Sequence, residues 1–177
     1  MASFGMIMPE LPGYLDLMGA GHLLGYIIGL FTLGALLSRF FSGKIADRAG
    51  RKIVMVFGTG VTAIAGFLYV LLGAVPDYST GMLGVWLFLA LRFFHGLSTG
   101  FRPIGSSALL TDIVPHNRRG EALGFLGVAG NAGMAGGPAI GSYLAVEWGY
   151  DAMFLASSFL GILSLLFTLK LPETLPN

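Results

Sequence analysis

The chain has 177 residues, 55% of them hydrophobic and 11% charged, with a formal net charge of +1 and a mean hydropathy of +0.80. A soluble domain carries about a quarter charged residues because its surface faces water, so this composition excludes a soluble enzyme. No basic run is long enough to hold nucleic acid, and the absence of cysteine excludes a disulfide framework and thiolate metal sites.

The charges fall in clusters, and none occurs in 53–76, 122–146 or 152–169. A helix needs about 20 mostly apolar residues to cross the hydrocarbon, so the chain reads as an all-α membrane protein with six spans. The first, Met1–Leu15, is a short apolar piece closing with Pro9 and Pro12. No basic stretch precedes it, so it is not a signal peptide; it reads as the tail of a helix whose beginning is missing. The second span covers Gly21–Phe41 and the third Ile53–Val75. The fourth starts near Gly81 and continues toward Val114 through Arg92 and Arg102. The fifth covers Glu121–Val146 and the sixth Ala152–Leu171.

Six crossings put Arg39, Lys44, Arg48, Arg51, Lys52, Arg118, Arg119 and Lys170 on one side. Glu10, Asp16, Asp77, Glu147 and Asp151 fall on the other, with no Lys or Arg. The positive-inside rule makes the basic side cytoplasmic, so both ends of the six-span unit face the cytoplasm of a plasma (inner) membrane.

Span five has glycines at 120, 124, 127, 130, 133, 137 and 141, a spacing that lines one helix face. Such a stripe lets backbones approach closely. Pro138 interrupts it, removes a backbone donor and is expected to kink the helix. The segment Gly133–Gly141 therefore reads as a hinge surface, with static packing as the alternative. Between spans two and three, 43–52 reads as a loop whose glycines permit a tight turn. Asp47 is the acid among its bases. A purely topological anchor needs neither glycines nor an acid.

Within span four, Arg92 costs about 2.5–3.5 kcal/mol at mid-membrane on insertion scales, so it requires a polar cavity or a partner. Arg102, ten residues on, is read as sharing its face, which would suit an anionic solute, or as reaching back toward the cytoplasmic side. His95 lies one turn from Arg92 and either titrates or makes a core hydrogen bond. No acid lies deep in a span, so a proton carrier in this part of the chain would have to be Glu10. No metal-ligand cluster, nucleophile with its base, or phosphate-cradling loop is present, so neither enzyme activity nor a cofactor is expected.

The segment Gly43-Lys44-Ile45-Ala46-Asp47-Arg48-Ala49-Gly50-Arg51-Lys52 resembles the signature loop between helices two and three of the major facilitator superfamily. Arg92-Phe93-Phe94-His95-Gly96 resembles the Arg-x3-Gly motif of that family's fourth helix. Residues 133–141, ending Gly-Gly-Pro-Ala-Ile-Gly, resemble the Gly-Pro motif of its antiporter branch. Leu171-Pro172-Glu173-Thr174 resembles the close of helix six. The resemblance covers 1–177 but only the N-terminal half of a twelve-helix member, the C-terminal half being absent. It implies a latch made of Gly43, Asp47, Arg48, Gly50 and Arg51, with Arg51 paired to Asp112 and Asp47 directed at the missing half. It also implies that Arg92 serves proton transfer or substrate binding. The function expected is alternating-access transport, as proton-coupled efflux of small organic solutes, with the missing half or a second copy as partner. The alternatives are an uptake permease for a sugar or organic anion, and a non-transporting six-span scaffold or truncated remnant.

Overall fold

The computed structural model describes residues 1–73 and 82–175, which are helical nearly throughout. The helices are α1 (Ala2–Ile7), α2 (Leu11–Leu17), α3 (Leu24–Ala49), α4 (Arg51–Gly73), α5 (Met82–Ile113) and α6 (Arg119–Leu169). Asp77 and Gly81 lie outside the described residues. α3, α4, α5 and α6, the first and last with short 3-10 turns leading in, are long and apolar enough to cross a membrane.

α1 and α2 form one rod, interrupted by a 3-10 turn over Met8–Glu10. Pro9 and Pro12 sit at the starts of that turn and of α2, where a missing N–H is tolerated.

α6 has 51 residues and one non-helical position, Gly149, with φ 84° and ψ 168°. A straight helix would hold Gly137 and Ser157 about 30 Å apart. Yet a Cβ on Gly137 would lie 2.7 Å from the Ala2 carbonyl, while Ser157 Oγ donates to the Ser3 carbonyl at 3.0 Å. The two arms, 119–148 and 150–169, therefore fold back on each other around α1. The break at Gly149 falls in the gap predicted between spans five and six, whereas Pro138, where a kink was expected, keeps helical φ/ψ. Only glycine adopts the φ of Gly149 without strain, and Pro138 packs 3.3 Å from a Cβ position on Gly5.

The loop predicted at 43–52 is likewise shorter than expected. α3 runs on through Gly43 to Ala49, and only Gly50, at φ 120°, leaves the helical region before α4 begins. Lys44, Ile45, Ala46 and Arg48 tolerate helix well enough to extend it, and Gly43 has open space beyond its Cβ position. Gly43 is thus a helical residue, not part of a turn.

The bundle is close-packed through small residues. Gly34 and Gly96 bring α3 and α5 together, where a Cβ on Gly96 would run into the Phe31 carbonyl. Gly58 and Gly105 join α4 to α5, and Gly66 and Gly161 join α4 to the second arm of α6. Gly133, Gly137 and Gly141 seat the first arm on α1, while Gly120, Gly124 and Gly127 continue the stripe with nothing beyond their Cβ positions. Polar side chains point inward: Ser38, Ser42, Thr59, Thr62, Ser98, Ser157 and Ser158 are buried. Large apolar ones point outward, including Phe40, Phe41, Trp86, Phe125 and Phe159. In water that arrangement would be an aggregation surface; in lipid, small and polar residues hold the helices together.

Candidate functional site

Two places in the bundle carry most of the predicted site residues, and a third, at the opposite end, was not predicted. At one end, α3 gives way to α4 at Gly50, and the end of α5 lies beside them. Arg51 Nε donates to Asp112 Oδ2 at 3.0 Å, and its Nη1 donates to the Ala46 carbonyl at 2.9 Å. The pairing predicted for Arg51 and Asp112 is therefore present. Asp47 is 3.7 Å from Arg51 and its side chain is 73% exposed, so it has a free edge at this end. Arg48, in the last turn of α3, carries a charge favourable to that helix's C-terminal dipole. Arg118 pairs with Glu121 rather than with Asp112.

Glu173, not among the predicted site residues, completes this end. Its carboxylate accepts the backbone N–H groups of Arg51 at 2.9 Å and Lys52 at 3.0 Å, which begin α4 and lack partners within their helix. Thr174 Oγ1 donates to Asp112 Oδ2 at 2.8 Å. Slight burial pushes the Glu173 carboxyl up, but the backbone N–H groups of Leu175, Thr174, Arg51 and Lys52 together hold it below the usual carboxylate range. A Cβ on Gly50 would meet only the movable end of the Glu173 side chain, so glycine is needed there for its φ of 120°. The sequence cue for Glu173 is its place in the Leu171–Thr174 match that closes helix six, which cannot reveal which other helix start it reaches.

The second place is the middle of the bundle. Arg92 is 1% exposed, and its guanidinium carbon lies 5.3 Å from the Tyr69 ring centroid, 5.7 Å from Phe88 and 5.9 Å from Phe31. No carboxylate pairs with the guanidinium among the described residues, and its polar neighbour is the Tyr69 hydroxyl. The partner expected from the sequence is thus a cage of ring faces contributed by α3, α4 and α5, which stabilises a desolvated cation. His95 is fully buried beside it, with Nδ1 3.3 Å from Tyr69 Oη, the core hydrogen bond anticipated. Thr62 and Ser98 link α4 and α5 one turn further along.

Arg92 and Arg102 do not share a surrounding. Ten residues fall about 80° short of three full turns, and Arg102 instead lines a cavity of about 580 Å³ with Met1, Met55, Thr59, Ser106 and Asn131. Glu10 sits in the 3-10 break and accepts from Ser142 Oγ on α6, so the structure brings it to α6 rather than to Arg92.

The third place is the opposite end, where Tyr14 of α2 packs on Phe88, Tyr150 and Phe154 at 5.5, 5.2 and 5.3 Å. Asp151 and Gly73 adjoin it, and a Cβ on Gly73 would lie 3.6 Å from Tyr14 Oη and 3.9 Å from Asp151 Oδ1.

Among the described residues, a helical bundle with polar residues inside, apolar residues outside and a caged arginine at its centre has the make-up of a multi-pass membrane protein. The family model of the Major Facilitator Superfamily matches residues 1–177, and the chain belongs to that superfamily. It is 35% identical over 176 residues to multidrug resistance protein MdtG of Serratia proteamaculans (strain 568), covering 96% of this chain and 40% of the relative. To MdtG of Yersinia enterocolitica (serotype O:8 / biotype 1B) it is 36% identical over 162 residues, covering 86% and 36%. To MdtG of Escherichia coli O6:K15:H31 it is 33% identical over 177 residues, covering 95% and 40%. The chain thus spans about two fifths of the length of these curated relatives. The crystal structure of a D-xylose-proton symporter superposes with a TM-score of 0.76 at 20% identity, over 93% of this chain and 41% of that one, which shows the shared fold. The sequence reading of a major facilitator superfamily member is borne out.

Proposed function

We propose that the chain is the N-terminal six-helix half of a secondary transporter that exports small organic solutes by alternating access, coupled to protons. Six passes are counted as α1 with α2, then α3, α4, α5 and the two arms of α6. The basic end, with Arg51, Arg118 and Lys170, faces the cytoplasm of the plasma membrane by the positive-inside rule. Export is favoured because the relatives similar over nearly the whole chain are multidrug resistance proteins.

The observation that carries the mechanism is the network at the cytoplasmic end. Arg51, Asp112, Glu173 and Thr174 tie the start of α4, the end of α5 and the end of α6 into one unit. Ion pairs that hold in one state and release in another are a usual bistable element. Asp47, exposed beside them, is placed to pair with the second half of the protein, or with a second copy, in the state that is closed at this end. Gly43, Arg48 and Gly50 shape the approach, and Gly133, Gly137, Pro138 and Gly141 give α1 a smooth track against α6. Arg92 holds a fixed positive charge that biases proton or solute movement past it, with His95 beside it, while Arg102 lines a separate cavity and Glu10 bonds Ser142 on α6.

The test is extrusion of a fluorescent organic cation from everted vesicles containing the full-length protein. Extrusion that starts with a proton gradient, stops with a protonophore and is lost in Asp47→Asn supports the proposal. Extrusion indifferent to the gradient, or an intact rate in Asp47→Asn, refutes it.

A further inference from the structure

The end of the bundle away from the Arg51 network carries Glu10, Asp16, Glu147 and Asp151, and no Lys or Arg among the described residues. All three ion pairs found among the described residues involve other acids, so no cation offsets these four. A cavity of about 280 Å³ opens here, lined by Tyr14, Met18, Gly73, Trp148, Tyr150 and Asp151. That volume lies just below the range for drug-sized ligands, so the occupant is a small molecule.

The lining has a definite chemistry. The Tyr14 and Tyr150 rings meet edge to face at 65° with centroids 5.2 Å apart, and Trp148 packs edge-on to Tyr143 at 6.4 Å. In a continuous helix, residues two apart point away from each other. The break at Gly149 lets Trp148 and Tyr150 line the same cavity. Gly73 leaves the floor open where Tyr14 Oη and Asp151 Oδ1 converge from α2 and α6. Trp148 also ends the first arm of α6, whose dipole is negative at that end.

We infer that this cavity is a binding site for a small quaternary ammonium group, held against the Tyr14, Trp148 and Tyr150 rings and facing the Asp151 carboxylate. Aromatic faces with an adjacent anion are the recognised environment of that group. A hard metal ion would require six or so oxygen ligands, and one carboxylate with a phenol does not supply them. An uncharged apolar molecule would make no use of Asp151. The site is built at the outer end, away from Arg92 and from the Arg51 network, and it stands whether or not the protein exports solutes.

The test is equilibrium binding of radiolabelled choline to the full-length protein in nanodiscs of phosphatidylethanolamine and phosphatidylglycerol. Expected is saturable binding that tetramethylammonium displaces and the uncharged isostere 3,3-dimethylbutan-1-ol does not. Asp151→Asn and Trp148→Ala each weaken it by about tenfold or more, a single desolvated cation–π contact being of that size, while Asp151→Glu retains it. Gly73→Leu fills the floor and abolishes it. Adding phosphatidylcholine to the discs separates two sources of the same group: competition assigns the site to a lipid headgroup, and lack of competition to a soluble cation. Absence of saturable choline binding, equal displacement by the uncharged isostere, or unchanged affinity in folded Asp151→Asn overturns the inference.

Discussion

Replacing Arg92 with methionine separates the charge from the shape. The guanidinium lies 5.3–5.9 Å from three ring centroids. At up to about 2 kcal/mol for each desolvated cation–π contact, the cage contributes about 3–6 kcal/mol. Against this stands an insertion cost of about 2.5–3.5 kcal/mol for an arginine at mid-span. Methionine fills much of the same volume without that cost and gains sulfur–ring contacts of about 0.3–1.5 kcal/mol each. The two ledgers nearly cancel, so Arg92→Met is expected to keep stability within about 2 kcal/mol of the parent. Transport, if it depends on the fixed charge, falls by at least about 1.4 kcal/mol in barrier terms, a tenfold loss of rate. The assays are thermal unfolding in detergent and extrusion from everted vesicles of the full-length protein. A folded, thermally normal Arg92→Met protein that transports at the parental rate refutes a functional charge. A collapse of stability shows instead that the arginine is a structural pillar of the cage.

Gly96→Leu drives a side chain into the Phe31 carbonyl on α3, and overpacking of this kind is expected to destabilise by about 1–3 kcal/mol, read as a lower melting temperature. Glu173 caps α4, so Glu173→Gln is expected to lower stability near neutral pH by about 0.5–2 kcal/mol. The sign with pH follows from a folded-state value held below the usual range. The stabilisation is present above the ordinary carboxylate range, is lost as pH falls through the folded value, and that acid-dependent component is absent in Glu173→Gln. A double-mutant cycle on Arg51→Ala and Asp112→Ala is expected to return a coupling of about 0.5–1 kcal/mol, suited to a partly exposed pair 3.0 Å apart.

Much of the fold was readable because membrane helices are announced by apolar length, and charge placement then orders their ends. The Arg51–Asp112 pair followed from the resemblance, because both residues sit at helix ends that the topology brings together. Four features were not readable. Pro138 was expected to kink its helix, yet a proline inside a packed helix can be carried by its neighbours, while the break at Gly149 falls where the sequence already separated spans five and six. The stretch 43–49 looked like a loop because it is charged, but at a membrane surface a helix can extend into water and remain helical. Arg92 needed a partner, and the sequence could not show that this partner is three rings from three helices rather than an acid. Arg102 was placed on the same face by counting turns too loosely, since an 80° drift is enough to move a side chain from the cage to another cavity.

The account stands or falls on α6 making two crossings. The chain contains no cysteine, so single cysteines introduced at Arg118, Asp151 and Thr174 can be labelled in intact cells with a membrane-impermeant maleimide. Labelling at 151 alone, with 118 and 174 reacting only after the membrane is opened, is the predicted result. Labelling of 118 and 151 from the same side would contradict it.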